Sequence, residues 1–185
     1  YPLDGFGIQE GKDRRNAMMH VERISAETAA EASRIYVSAW QAGYRGIIPQ
    51  PYLDALSPEQ WRPRLETSIY KDFLLTDGGK AVATSSISPA RDANMQGWGE
   101  IISLYVLPEH FGKGYGRFLF SYDIRQLRAD GFQNLYLWVL AENHRARNFY
   151  TSMGFQPNGD TVTLNIGGKD LLEMRYVNRL QLRLM

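Results

Sequence analysis

IISLYVLPEHFGKGYGR, residues 101–117, decides how this chain is read. Residues 101–107 are apolar and β-branched without polar alternation, which predicts a strand covered on both faces. Pro108 ends it, having no N–H for the ladder. Gly112, Gly114 and Gly116 then alternate with Lys113 and Tyr115, letting the backbone bend and approach a ligand where a Cβ would block it. From about Arg117 to Asp130, Phe120, Ile124 and Leu127 recur at helical spacing, and Gly131 marks the stop. A glycine loop feeding a helix N-terminus aims several N–H groups at one spot with the helix dipole behind them. That is an anion site, most often for phosphate.

Two phosphate-loop patterns fail against it. The nucleotide pattern G-x-x-x-x-G-K-[ST] does not fit, because Gly112 and Gly114 are too close and no Lys-Ser/Thr pair follows. The dinucleotide fingerprint G-x-G-x-x-G has the wrong spacing, although a strand over 135–140 ends near Glu142, where a ribose-binding acid could sit. A third pattern fits: strand, V-x-P-E, x-G-x-G-x-G, then helix. It resembles motif A of the GNAT superfamily, the acetyl-CoA-dependent N-acetyltransferases. Downstream, Asn143 opens the run NHRARNFYTSMGF, which is similar to the same family's N-x-x-A-x-x-F-Y-x-x-x-G-F element. On physical grounds alone Asn143 is an N-cap, Ala146, Phe149, Tyr150 and Met153 share a helical face, and Gly154 is a stop. The resemblance runs from about Val21 to Leu180 and is strongest from Glu100 to Phe155. One departure is Phe111, where the family usually carries Gln or Arg.

Upstream, a strand is expected over residues 20–24, then a helix to about Ala42 capped by Ser25, with Ala32, Ile35, Tyr36, Ala39 and Trp40 on its buried face. Ser57-Pro58-Glu59-Gln60 reads as a second helix start, with Trp61, Leu65 and Ile69 inward. Asp77-Gly78-Gly79 joins two strands as a hairpin, and Gly167-Gly168-Lys169 joins two more. Residues 89–99 form a loop, and residues 134–140 a strand parallel to the first. The fold class is α/β of the α+β type, with a mixed, mostly antiparallel central sheet, a β-α-β-α core and helices on both faces, as the resemblance implies. Residues 1–18 lack periodicity and are set aside as an expression-derived leader, leaving residues 19–185 as one domain.

Composition narrows the function. The 185 residues are 44% apolar and 22% charged, ordinary for a globular domain. A net charge of +1 gives no electrostatic case for nucleic acid or an anionic membrane. The absence of cysteine excludes disulfides and a thiol nucleophile, and the three histidines, His20, His110 and His144, form no metal-ligand cluster. No apolar run approaches the roughly 18 residues that span a bilayer. A cytoplasmic protein without a metal is expected.

The resemblance implies acetyl-CoA as co-substrate and a small-molecule or peptide amine as acceptor, and it allows a homodimer. It places the pantetheine and thioester against backbone groups of Leu104, Tyr105 and Val106, and the pyrophosphate on the loop of Phe111, Gly112, Lys113, Gly114, Tyr115, Gly116 and Arg117. Asn143 would meet the coenzyme arm, or serve only as a cap. Tyr150 corresponds to the family's general acid; a phenol of reference pKa about 10 stays protonated at neutral pH and can donate to a leaving thiolate. Otherwise it is a core tyrosine. Glu100 corresponds to a carboxylate that acts as base through water, or is an exposed strand-end residue. Trp40, Tyr44, Arg45 and Tyr52 are nominated for the acceptor pocket, with Asp54, Glu59 and Glu66 as acidic contributors. A non-catalytic acyl-CoA sensor and a dinucleotide-dependent βαβ enzyme remain as alternatives.

Overall fold

The computed structural model describes residues 18–179, so the leader expected at residues 1–18 lies almost entirely outside the described residues. Among the described residues, seven strands form one sheet in the order β1-β2-β3-β4-β5-β7-β6. In chain order these are β1 (Met19–Arg23), β2 (Lys71–Asp77), β3 (Lys80–Pro89), β4 (Gly99–Val106), β5 (Leu135–Leu140), β6 (Gln156–Ile166) and β7 (Lys169–Asn178). All neighbours are antiparallel except β4 and β5. The described residues also form the α-helices α1 (Ala29–Gly43), α2 (Gln50–Asp54), α3 (Arg62–Glu66), α4 (Tyr115–Ala129) and α5 (His144–Ser152). The mixed, mostly antiparallel sheet with helices on both faces is the expected architecture.

Strand alternation sorts the core into two layers. Phe73 and Leu75 of β2 pack with Leu119, Phe120 and Leu127 of α4, and α5 adds Ala146, Phe149, Tyr150 and Met153 to that layer. Leu74 faces the other way, onto Ala29, Ala32, Ile35 and Tyr36 of α1 and Leu65 of α3. The two hairpins form as read, with Gly78-Gly79 and Gly167-Gly168 as two-residue turns.

Two expectations need correction. Ser25 does not cap α1: Thr28 N–H donates to Ser25 O at 3.1 Å, closing a turn first, and the helix begins at Ala29. The helix expected from Ser57 is a turn followed by the five-residue α3, because Pro63 lacks the N–H that a longer helix would need and is tolerated only in a first turn. The helix stops at Glu66, so Ile69 is not inward but 89% exposed. The short α2 forms within a segment whose glycines and prolines argue against a long helix.

Candidate active site

β4 and β5 are paired only at Gly99–Leu135 and Glu100–Tyr136, and beyond that point they part. On its other edge β4 stays in register with β3 as far as Val106, with a bulge where Ser103 pairs Ser86 and Ile101 pairs Ile87, leaving Ile102 unmatched. A bulge bends its strand and increases the local twist. A cavity of about 410 Å³ opens there, walled by residues 102–106, by Trp138, Val139 and Leu140, by the glycine loop and by one side of α5. This explains why the second half of β4 is only half-buried although apolar on both faces.

The loop is built by backbone conformation. Gly112 has φ +75° and Gly114, at the N-cap of α4, has φ +93°. Only glycine adopts these angles without strain. Phe118 N–H donates to Gly114 O at 3.0 Å, which starts the helical ladder at Gly114 and directs the preceding amides out of the helix end. A Cβ built on Gly112 or Gly114 would meet nothing within 4 Å, so open space adjoins the loop. Gly116 is different. It has no positive φ, and a Cβ there would make an ordinary contact with Val106 Cγ2 at 3.5 Å. The fold alone does not demand glycine at 116. The cradle therefore fits a phosphate-bearing coenzyme: outward amides, a helix N-terminus and room for an anion.

The loop side chains divide. Phe111, Gly112, Gly114, Gly116 and Arg117 line the cavity, as do Leu104, Tyr105, Val106 and Asn143. Lys113 is exposed and off the wall. Tyr115 turns into the core, 8% exposed, and its hydroxyl donates to Asp77 Oδ2 at 2.5 Å. Arg117 reaches the end of α5, donating to Ser152 Oγ at 3.1 Å. A cation not singled out in the sequence, Arg145, also lines the cavity and lies over the Phe111 ring at 3.6 Å. Arg145 thus supplies a guanidinium beside a position that itself lacks a polar side chain.

On α5, Asn143 Oδ1 accepts Ala146 N–H at 3.1 Å, so Asn143 is the cap as read and also stands on the cavity wall. Tyr150 lines the cavity. Burial, with the nearby Asp123 carboxyl, holds its phenol well above the ordinary value, so it stays protonated. Asp123, fully buried on α4, accepts a hydrogen bond from Ser85 Oγ at 2.8 Å, and burial raises its pKa well above the ordinary aspartate value.

Of the acceptor-side candidates, Tyr44 reaches the wall. Trp40 stands behind it, edge-on to Tyr44 at 5.0 Å and against Trp61 at 5.1 Å. Arg45 and Tyr52 are not on this wall. Tyr52 instead lies against the β6–β7 turn, where a Cβ on Gly167 would come within 2.8 Å of it. Tyr105 presents a phenol pushed up to about 12 by burial. Nor is Glu100 brought to the cavity. It is 2% exposed; Arg91 donates to it through Nη2 at 2.7 Å and through Nε and the backbone N–H at 3.0 Å, and the Tyr136 hydroxyl adds a bond at 2.8 Å. The carboxylate that does line the cavity is Glu173 of β7. The signal that could have found it is an acid between Leu171 and Arg175 on the inward-facing register of an interior strand.

Comparison with known proteins bears on the fold and the family. The acetyltransferase (GNAT) family model matches residues 29–155. The uncharacterized N-acetyltransferase YuaI of Bacillus subtilis (strain 168) is 25% identical over 128 residues, 68% of this chain and 74% of that protein. The mycothiol acetyltransferase of Beutenbergia cavernae is 35% identical over 141 residues, 74% of this chain but 46% of that protein, so the chain spans about half of its length. Among solved structures, the PaiA N-acetyltransferase of Thermoplasma acidophilum in complex with coenzyme A superposes with a TM-score of 0.69 at 16% identity, over 87% of this chain and 98% of that one. At that identity the likeness is one of fold.

Proposed function

The chain belongs to the GNAT acetyltransferase family and is an acyltransferase, and from that premise we propose that it moves the acetyl group of acetyl-CoA onto a primary amine of a small molecule or peptide by direct attack in a ternary complex. The observation that carries this reading is the cavity between the parted strands, with the glycine cradle at one end and Tyr150 on its wall. The coenzyme bound to the PaiA relative supports the choice of donor.

Each residue has a task that its surroundings suit. The amides at the start of α4, with Arg117 and Arg145 beside them, hold the pyrophosphate. Where β4 leaves β5, the backbone groups of Leu104, Tyr105 and Val106 that face the gap orient the thioester, and the N–H groups on that edge, those of Leu104 and Val106, donate to its carbonyl oxygen as negative charge develops there. When bound, the coenzyme supplies an activated acyl group. Tyr150 holds a proton for the departing sulfur. The burial that raises the phenol also raises the basicity of a thiolate forming in the same dry space, so the two stay matched.

Calorimetric titration with acetyl-CoA, beside NAD⁺ and NADP⁺, tests the donor. Selective acetyl-CoA binding is expected, and a dinucleotide response alone would refute it. Tyr150→Phe then tests the chemistry: turnover with a responsive amine should fall about 10²- to 10⁴-fold while acetyl-CoA affinity stays within about twofold. Equal turnover in the variant would remove Tyr150 from the mechanism.

A further inference from the structure

The cavity does not end at the thioester. On the sheet face toward α1, β5 and β7 align Leu140 with Glu173 and Trp138 with Arg175. Trp138 and Glu173 are therefore diagonal neighbours on that face, and both line the cavity together with Tyr44 and Tyr105. Among the described residues lining it, Glu173 is the one acid.

The neighbouring charges are already engaged. Arg91 is committed to Glu100, and Arg175, two residues along the same strand, is committed to Asp92 at 2.8 Å and to Asp160. Glu173 has no ion pair or hydrogen bond among the described residues. It is half-buried, and burial raises its pKa above the ordinary glutamate value. Arg91 opposes that rise and Glu100 adds to it. The other titratable groups facing it, Tyr44 and Tyr105, are phenols kept neutral by burial. A half-buried carboxylate with no partner is costly until a cation arrives.

We propose that Glu173 is the catalytic base of this enzyme, receiving the acceptor's ammonium in a subsite walled by Tyr44, Tyr105 and Trp138. The subsite takes a primary amine at the end of an apolar or aromatic body, since its walls are rings and its one ionic group is an acid. The inference rests on the transferase reading above.

The protons and electrons balance as follows. Glu173 takes one proton from the ammonium, and the freed nitrogen lone pair forms the C–N bond to the acetyl carbon. The C–S bond breaks with its electron pair on sulfur, and Tyr150 gives that sulfur its proton. A second proton leaves nitrogen and restores Tyr150, while the third stays on the amide. Glu173 then releases its proton to solvent, so one proton is lost per acetyl group moved.

The test uses phenethylamine as the acceptor probe and Glu173→Gln, an isosteric change at a side chain that holds no other residue in place. The variant should bind acetyl-CoA as the wild type does. Its kcat/KM at pH 7 should be about 10²- to 10⁴-fold lower and should climb with pH as the free amine fraction grows. A readout independent of turnover is the ¹³C carboxyl resonance of Glu173, assigned by its loss in the variant. In protein saturated with coenzyme A it should shift on addition of phenethylamine. A variant within threefold of wild-type kcat/KM with an unchanged pH profile, or a resonance that phenethylamine does not move, would overturn the Glu173 assignment alone. Wild-type protein that binds acetyl-CoA but releases no thiol with phenethylamine would overturn the acceptor class. Failure of the wild type to bind acetyl-CoA would overturn the transferase reading and this inference with it.

Discussion

Gly116→Ala separates what the fold requires from what the ligand requires. The new methyl would sit 3.5 Å from Val106 Cγ2, an ordinary contact, in the first turn of α4. Replacing glycine by alanine at a helical position without positive φ gains about 0.5–1 kcal/mol. In a chain of this size 1 kcal/mol moves Tm by about 2–4 °C, so the free variant should melt at or slightly above the wild type. Gly114→Ala is the contrast. Its φ of +93° would force an L side chain into the left-handed region, costing roughly 1–2 kcal/mol and lowering Tm.

With acetyl-CoA the two variants should behave alike. At 100 times its Kd a ligand stabilises the fold by about 2.7 kcal/mol, and a tenfold loss of affinity at the same concentration leaves about 1.4 kcal/mol. Thermal melts with and without acetyl-CoA read both quantities in one experiment. The expected pattern is a Gly116→Ala variant that is unharmed when free yet loses about half of the ligand-induced shift. A free variant destabilised by more than about 1 kcal/mol would mean that the space beside Val106 is misjudged. A full ligand shift in Gly116→Ala would mean that no phosphate approaches this amide, which would falsify the loop assignment.

Arg145→Ala should weaken acetyl-CoA binding several-fold and flatten its dependence on salt, measured by calorimetry at two ionic strengths, because a guanidinium beside the cradle is removed while Phe111 keeps its place. Asp123→Asn should change how stability depends on pH. Asp123 binds its proton more tightly folded than unfolded, so its contribution is fully present below the unfolded carboxylate's pKa near 3.9 and is lost as pH rises toward the raised folded value. Asn keeps an Oδ1 to accept from Ser85 and does not titrate. Urea denaturation should therefore show the wild type losing stability relative to the variant as pH rises from 4, and parallel pH profiles would refute the neutral buried carboxyl.

The parts of the site that were legible in the sequence are those whose cause is local. Gly112 and Gly114 announce their backbone angles, Asn143 its cap, and the apolar face of α5 its packing, because each is settled within one or two turns of chain. Glu173 and Arg145 carry no such mark. Glu173 reaches the cavity only because β7 inserts between β5 and β6, a pairing fixed by distant residues. The clearest case is β4 itself. Ile101 shares the α4 layer with Leu104 and Val106, whereas Tyr105 and Leu107 pack toward α1. In a regular strand 101 and 104 would face opposite ways, so the bulge at Ile102 has exchanged the faces. That exchange puts Glu100 on the same side as Tyr105 but at the opposite end of β4, where Arg91 and Tyr136 consume its oxygens. A motif position names a residue by its distance along the chain. The work it can do depends on which way a bulge has turned it and on what has already taken its lone pairs, and by that criterion the free carboxylate of this site belongs to β7 rather than to β4.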